Sequence, residues 1–413
     1  MKCMLSALVA LFLNCTLLHA DNWPAWRGPS GDGVSTERKL PLNWSATQNV
    51  RWKVALPEPC NSTPIVWGRH IFVTQGLDGG KRRALIALDR ADGKKLWQKE
   101  LPCDFLETSH RDNPPCSASP VTDGEAVYAW FASAGVVAYD FKGKQLWHRD
   151  LGPIKSRWGN GSSPILYKDS LIVFHGPGAP KSFLTALDKR TGKTLWTSQE
   201  TAIDSPIFGC WSTPILARVS GREELILPLP GDRIKGDGYF KAYDPDTGKV
   251  LWTCEGLGNE IYAMPTINAK RDLVVAISGH NGPLLAVKPG GAGVVAPAWR
   301  QAGKNPQRVG SGVFHQGHFF LANATPPTIE CLDAASGKTI FKERLEGNLW
   351  GSLLLADGRL YVSSLEGETF VLAAGPKFQL LARNKLGERL YAAPAVSNGE
   401  IFLRTHQNLY CIK

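Results

Sequence analysis

Asp112 and Asn113, behind Arg111, sit in the stretch from Leu101 to Pro115 and form the most suggestive carboxylate and amide combination of this chain. A carboxylate accepts a hydroxyl proton or a hydrogen bond, an amide both gives and takes, and together they suit a polar ligand or a general base. Four aromatic residues, Trp211, Tyr262, Trp350 and Tyr391, recur three positions ahead of Pro214, Pro265, Leu353 and Pro394. Rings at a fixed offset can stack on a planar quinone or a sugar, or they can simply plug a hole, and the spacing leaves both readings open. Trp158 and Asn160 occupy a loop of the same kind. His280 and His175 fall in turns where a satisfied histidine competes with a catalytic base, because no carboxylate stands at a fixed spacing from either.

The cysteines offer a second chemistry. Of the nine, Cys3 and Cys15 lie in the N-terminal apolar segment, so seven remain and at least one has no internal partner. Cys60, Cys116 and Cys210 each precede a Pro by four residues, which places them at equivalent heights in successive units. In an oxidising compartment either Cys60 with Cys116 or Cys103 with Cys116 makes a disulfide, and both pairings stay open. Cys331, Cys411 and Cys254 read as packing residues. No CxxC or HxxxH spacing accompanies them, so no metal site is expected.

The elements that must position these groups are set by a phrase that returns every 40 to 55 residues or so. It reads ALDRADGKKLW to Trp97, AYDFKGKQLW to Trp147, ALDKRTGKTLW to Trp196, AYDPDTGKVLW to Trp252 and CLDAASGKTIF to Phe341. A small residue, an Asp, a Gly-centred turn and a large aromatic describe a tight hairpin. Weaker versions put Trp299 and Leu381 in the aromatic position. Upstream, Pro64, Pro120, Pro164, Pro214, Pro265 and Pro394 open apolar runs, most of them after a Ser or Thr, and Gly312 and Leu353 fill the same slot. Eight units of four short strands follow. The chain stops at Lys413 one strand short of a full unit, while Val50 to Leu56 around Trp52 is a fourth strand with no unit before it. A ring in which that strand completes the last unit removes both edges, predicting an all-β propeller of eight four-stranded antiparallel blades.

The phrase A-x-D-x-x-T-G-K-x-x-W resembles the blade signature of the pyrroloquinoline quinone (PQQ) repeat propellers over nearly all of the chain beyond its leader. That resemblance implies that Trp97, Trp147, Trp196, Trp252 and Trp52 dock against neighbouring blades. The family includes quinoprotein alcohol dehydrogenases, the lipoprotein scaffold of outer-membrane barrel assembly, and secreted propellers without assigned activity. Its dehydrogenases use adjacent cysteines, a calcium ion held by Glu and Asn, a catalytic Asp and, in some, a CxxCH haem site. This chain has no Cys-Cys pair and no CxxCH, and no residues match the calcium ligands. The resemblance therefore implies a non-catalytic member, with PQQ as a cofactor only in a degenerate-site alternative.

Residues 1–20 carry a Lys near the start, an apolar stretch from Leu5 to Leu13 and Leu18-His19-Ala20 before Asp21, the outline of a secretory signal cut after Ala20. Lipid attachment at Cys15 is the rival, disfavoured by Phe12-Leu13-Asn14 ahead of it. Residues 21–48, with Trp23 and Trp26 as anchors, form a leader expected to lie across the ring, and 49–413 form the ring itself. Net charge is +10, dispersed over hairpin turns such as Lys94, Lys144, Lys193 and Lys249 rather than gathered with aromatics, so no nucleic-acid surface is expected. The expectation is a periplasmic or secreted monomer without a transmembrane segment, binding an envelope protein or carbohydrate at the aromatic mouth; a quinone-linked dehydrogenase and an outer-membrane assembly scaffold are the alternatives.

Overall fold

The computed structural model describes residues 22–176, 178, 181–202, 209–219, 221–231, 238–270, 272–280, 282–301 and 307–413. The signal expected over 1–20, with Cys3 and Cys15, and the loop residues Asp232, Arg233 and Asn281 lie outside them.

Eight sheets, each with four antiparallel strands, form the blades of a propeller. Blade 1 shows the plan: Ile65–Trp67 at the channel, then His70–Leu77, Arg82–Asp89 and, at the rim, Lys95–Pro102. The strand His70–Leu77 is almost wholly buried, whereas the rim strand Lys95–Pro102 is exposed or half-buried throughout. Blade 4 gains a fifth strand, Gly293–Val294, lying parallel to its rim strand Val250–Leu257.

Each residue of the hairpin phrase has a physical reason. The small residue faces the aromatic directly across the ladder, as in Ala87 opposite Trp97, Ala186 opposite Trp196 and Cys331 opposite Phe341. The indole N–H then donates to a carbonyl just after the Asp of the next blade: Trp52 to Arg90 at 2.8 Å, Trp97 to Phe141 at 2.9 Å, Trp147 to Lys189 at 2.9 Å and Trp196 to Pro245 at 3.0 Å. The turn glycine of that next blade lies against the same ring. At Gly93, Gly143, Gly192, Gly248 and Gly337 φ is +69° to +82°, and an added Cβ would stand 2.4–3.0 Å from the ring of the preceding blade's Trp. Glycine is required twice, by the turn and by the seam. Trp252 departs from the pattern, donating to Glu224 of its own blade at 2.8 Å, because the following hairpin carries Pro289-Gly290-Gly291 in place of the Asp turn. Blade 7 requires a correction: a bulge pairs Val371 with Ala382 and Leu372 with Leu380, so Ala382, not Leu381, holds the aromatic position.

The ring closes as the strand count predicts. Val50–Ala55 joins Asn408–Ile412 antiparallel, with Trp52 opposite Cys411. Glu388 latches this seam, accepting from Lys53 of the closing strand at 2.8 Å, Tyr410 at 2.6 Å and Asn408 at 2.9 Å. Burial opposes ionisation of Glu388, yet the hydrogen bonds from Lys53, Thr405, Tyr410 and Asn408 prevail and hold its pKa down to about 2.

A belt of hydroxyls explains the Ser and Thr that open the apolar runs. The amide of Thr63 donates to the Ser119 hydroxyl, Ser119 to Ser163 and Ser163 to Thr213, each at 2.9 Å, and Ser311 to Ser352 likewise at 2.9 Å. At these four seams a blade thereby satisfies a backbone donor of its neighbour where the inner strands crowd together and no ladder can reach.

The leader crosses the lower face. Trp23 exchanges backbone hydrogen bonds with Val66 of blade 1, and Val34 bridges Leu355 of blade 7. Between them the buried Arg27 guanidinium donates to the carbonyls of Leu353 at 2.9 Å, Asp32 at 2.6 Å and Gly312. Burial lowers its pKa to about 10, with Asp32 partly offsetting the loss.

Candidate functional site

The residue four positions ahead of each inner strand, three before the slot that Pro64 fills in blade 1, faces the channel in all eight blades. In blades 4, 5, 7 and 8 these are Trp211, Tyr262, Trp350 and Tyr391; in blades 1, 2, 3 and 6 they are Asn61, Ser117, Gly161 and Val309. Bulk on one side and small groups on the other leave a chamber of about 190 Å³ rather than a plugged axis. The aromatics brace one another in pairs: Trp211 and Tyr262 lie with ring centres 5.4 Å apart, and Trp350 meets Tyr391 edge to face at 5.4 Å.

The insertion after blade 1 fills the small-residue side as a lid. Its backbone is tied down by Asn61 donating to the Asp112 carbonyl at 2.8 Å and by Gly159 donating to Thr108 at 3.0 Å. Asn113 donates to the Trp158 carbonyl, and His110 lies on the Trp158 ring at 4.2 Å. Asp112 accepts the Tyr391 hydroxyl at 2.7 Å. Burial and this carboxylate together raise the Tyr391 pKa, so the phenol keeps its proton. Behind Tyr391, His406 stacks flat at 4.5 Å and hydrogen-bonds Asn61 at 3.2 Å. Burial, with Arg404 and Arg389 nearby, lowers the His406 pKa to about 4, leaving it neutral at physiological pH.

Above the chamber a vestibule of about 400 Å³ opens, sharing Asp112, Trp158, Gln307 and Trp350 with it and adding Arg111 and Arg389. Below, the floor is Trp26 of the leader, whose other side lines a groove on the lower face. The chamber is therefore blind.

Asp112, Asn113, Trp158, Trp211, Tyr262, Trp350 and Tyr391 meet at one chamber, and Arg111 stands over it in the vestibule. Asn160 is buried in the wall, donating to Ser162 at 3.3 Å, with its side-chain oxygen unpartnered. His280 lies exposed and lines neither space; Glu260 takes the Tyr262 hydroxyl at 2.7 Å and the His280 amide at 3.2 Å. His175 is buried, its ring stacked on Phe183 at 4.4 Å and its Nε2 3.2 Å from the Gly152 carbonyl. Trp26 and Asn61 join the wall without having been singled out for it. Asn61 carries the same offset as the aromatics and is found by counting the slot in every blade; nothing periodic marks Trp26. The indole nitrogen of Trp350, bordering both spaces, is buried without a partner.

The described cysteines are all unbridged. Cys60, Cys103 and Cys116 nevertheless share one buried cluster, where Arg83 stands 3.5 Å from the Cys103 sulfur and 3.9 Å from that of Cys116, and Cys60 donates to the Cys116 carbonyl at 3.0 Å.

Repeat, seam and closure define an eight-bladed propeller of the PQQ repeat class. The family described as outer membrane protein assembly factor BamB matches residues 34–161, 154–296 and 292–375, and the chain belongs to it. It is also similar to two Pseudomonas putida enzymes. Quinohemoprotein alcohol dehydrogenase ADH IIB is 30% identical over 33% of this chain, and ADH-IIG is 26% identical over 44%. Those alignments span only 19% and 26% of the enzymes' own lengths. Among solved structures, a europium-containing methanol dehydrogenase superposes with a TM-score of 0.68 at 12% identity, covering 94% of this chain and 90% of the enzyme. BamB from Moraxella catarrhalis gives 0.61 at 15% identity over 87% and 96%. At such identities the superpositions speak for the fold alone.

Proposed function

We propose that this chain is an exported, non-catalytic binding propeller whose aromatic chamber takes a neutral, hydroxyl-rich ligand of carbohydrate type. The observation that carries the reading is the lining itself. Among the described residues, ring faces stand beside hydroxyls, amides and one carboxylate, Asp112, with no cationic side chain and no cysteine in the inner wall. Rings take the apolar faces of a sugar, and a carboxylate and amides take its hydroxyls. Export rests on the segment Met1 to Ala20 and on the periplasmic setting of comparable propellers.

The dehydrogenase reading draws support from the two quinohemoprotein alcohol dehydrogenases. The residues present do not fit their cofactor. PQQ is a tricarboxylate, and the one charged group of the inner wall would repel it. Calcium takes six to eight oxygen ligands, several of them carboxylate, and among the described residues no three His, Cys, Asp or Glu side chains gather to hold a metal.

Calorimetric titration of the full mature chain with a panel of neutral sugars tests the reading. Binding is expected, weakened at least about tenfold by Trp350→Ala and by Asp112→Asn with the fold retained. Quinone absorbance and alcohol-dependent dye reduction on adding PQQ and calcium would instead establish the enzyme.

A further inference from the structure

The channel of this ring is open at one end only, and the closure is built from the chain's own leader. Trp26 forms the chamber floor. Beside it the Arg27 guanidinium is drawn under the inner strands of blades 6 and 7 by the Gly312 and Leu353 carbonyls. An added Cβ at Gly33 would stand 2.5 Å from the Arg27 guanidinium, and one at Gly28 would stand 2.8 Å from Trp23. The turn that seals the floor is thus packed to the limit, and it is anchored on both sides by backbone pairing to blades 1 and 7.

Size sharpens what a blind chamber can take. A volume of about 190 Å³ falls below the ~300 Å³ at which ordinary small-molecule sites begin. That suits one sugar ring. The vestibule above is about twice as roomy, at about 400 Å³, and is polar, with His110, Arg111, Glu366 and Arg389 around it. It continues the chamber through the shared Asp112, Trp158, Gln307 and Trp350. A chain therefore has one way in and no way through.

We infer that the site recognises the terminal residue of a glycan, one end ring in the chamber and the following residues rising through the vestibule, and does not bind internal segments. This rests on the carbohydrate reading above and adds the part of the chain that is read. Asp112, already accepting one hydroxyl from Tyr391, is the acceptor offered to the terminal ring.

The test uses the mature protein with single neutral sugars, short linear glucans and cyclic glucans of the same linkage. Linear chains should bind with an affinity that levels off after the vestibule is filled, and cyclic glucans, which have no ends, should bind at least about tenfold more weakly. A bulky cap on one terminus should abolish binding while the same cap on the other is tolerated. Cyclic glucans equal to linear ones, or tolerance of caps at both ends, would overturn end recognition and leave the carbohydrate reading standing. Failure of every neutral sugar, or binding unchanged by Trp350→Ala, would overturn the carbohydrate reading itself.

Discussion

The two ends of the channel are built on opposite principles. At the lower end the leader closes the ring with backbone pairing and a guanidinium spread over carbonyls, although Trp23 Nε1 and Arg27 Nε stay buried without partners. At the upper end aromatic side chains from four blades stand beside small ones from the other four, and polar atoms such as the Trp350 nitrogen are left without partners. Stability is concentrated below and recognition above, the usual division between a scaffold and the loops it carries.

Substitutions should separate the two ends, and the largest effect belongs to the lower one. Arg27→Ala strips several buried carbonyls of their donor and should cost about 2–4 kcal/mol, read as a lowered denaturant midpoint. A loss under about half a kcal/mol would mean that the leader is ornamental. Gly192→Ala, which drives a Cβ to within 2.7 Å of Trp147 at φ +70°, should cost about 1–3 kcal/mol. At the upper end Trp350→Ala should shift stability less than Arg27→Ala while weakening ligand binding at least about tenfold, and a loss of stability as large as that of Arg27→Ala would erase the contrast.

Acid should work in two windows. His406 is held neutral, its pKa lowered from 6.5 to about 4, so the stability it contributes is present above pH 6.5 and is lost as pH falls towards 4. Glu388 is held ionised, lowered from 4.5 to about 2, so its contribution is present above pH 4.5 and is lost between 4.5 and 2. Thermal midpoints of His406→Asn should therefore lose less than the parent's between pH 6.5 and 4. Equal slopes would remove His406 from the account. The smallest effect is expected from the thiols: oxidation with a disulfide reagent should join Cys116 to Cys60 or Cys103, read by non-reducing peptide mapping, and three free thiols after such treatment would dismiss both pairings.

The lower end and the ring were more legible in the chain than the mouth. Gly and Trp recur because each touches the neighbouring blade, and Asp because it ties its own turn by accepting amides such as those of Ala91, Lys142, Arg190 and Asp246, so the phrase that repeats is the phrase that assembles, and it yields blade number and closure directly. Leu381 was misplaced because the turn of blade 7 is one residue longer, Val371 to Ala382 against Ala87 to Trp97, while the bulge itself recurs in other blades. The mouth is asymmetric by design, and asymmetry leaves no period. The aromatic offset exposed Trp211, Tyr262, Trp350 and Tyr391, while Trp26, from outside the repeats, gave no sign that it would meet them. His280 shares the loop class of His406, yet it lies exposed and lines neither space.

The central claim is that one neutral ring sits between Trp350, Tyr391 and Asp112 above Trp26. A crystal structure of the protein soaked with the tightest-binding neutral oligosaccharide tests it most directly. The account predicts density for a terminal ring in the chamber with further residues leaving through the vestibule. Density confined to the blade rims or to the groove beneath the leader would contradict it.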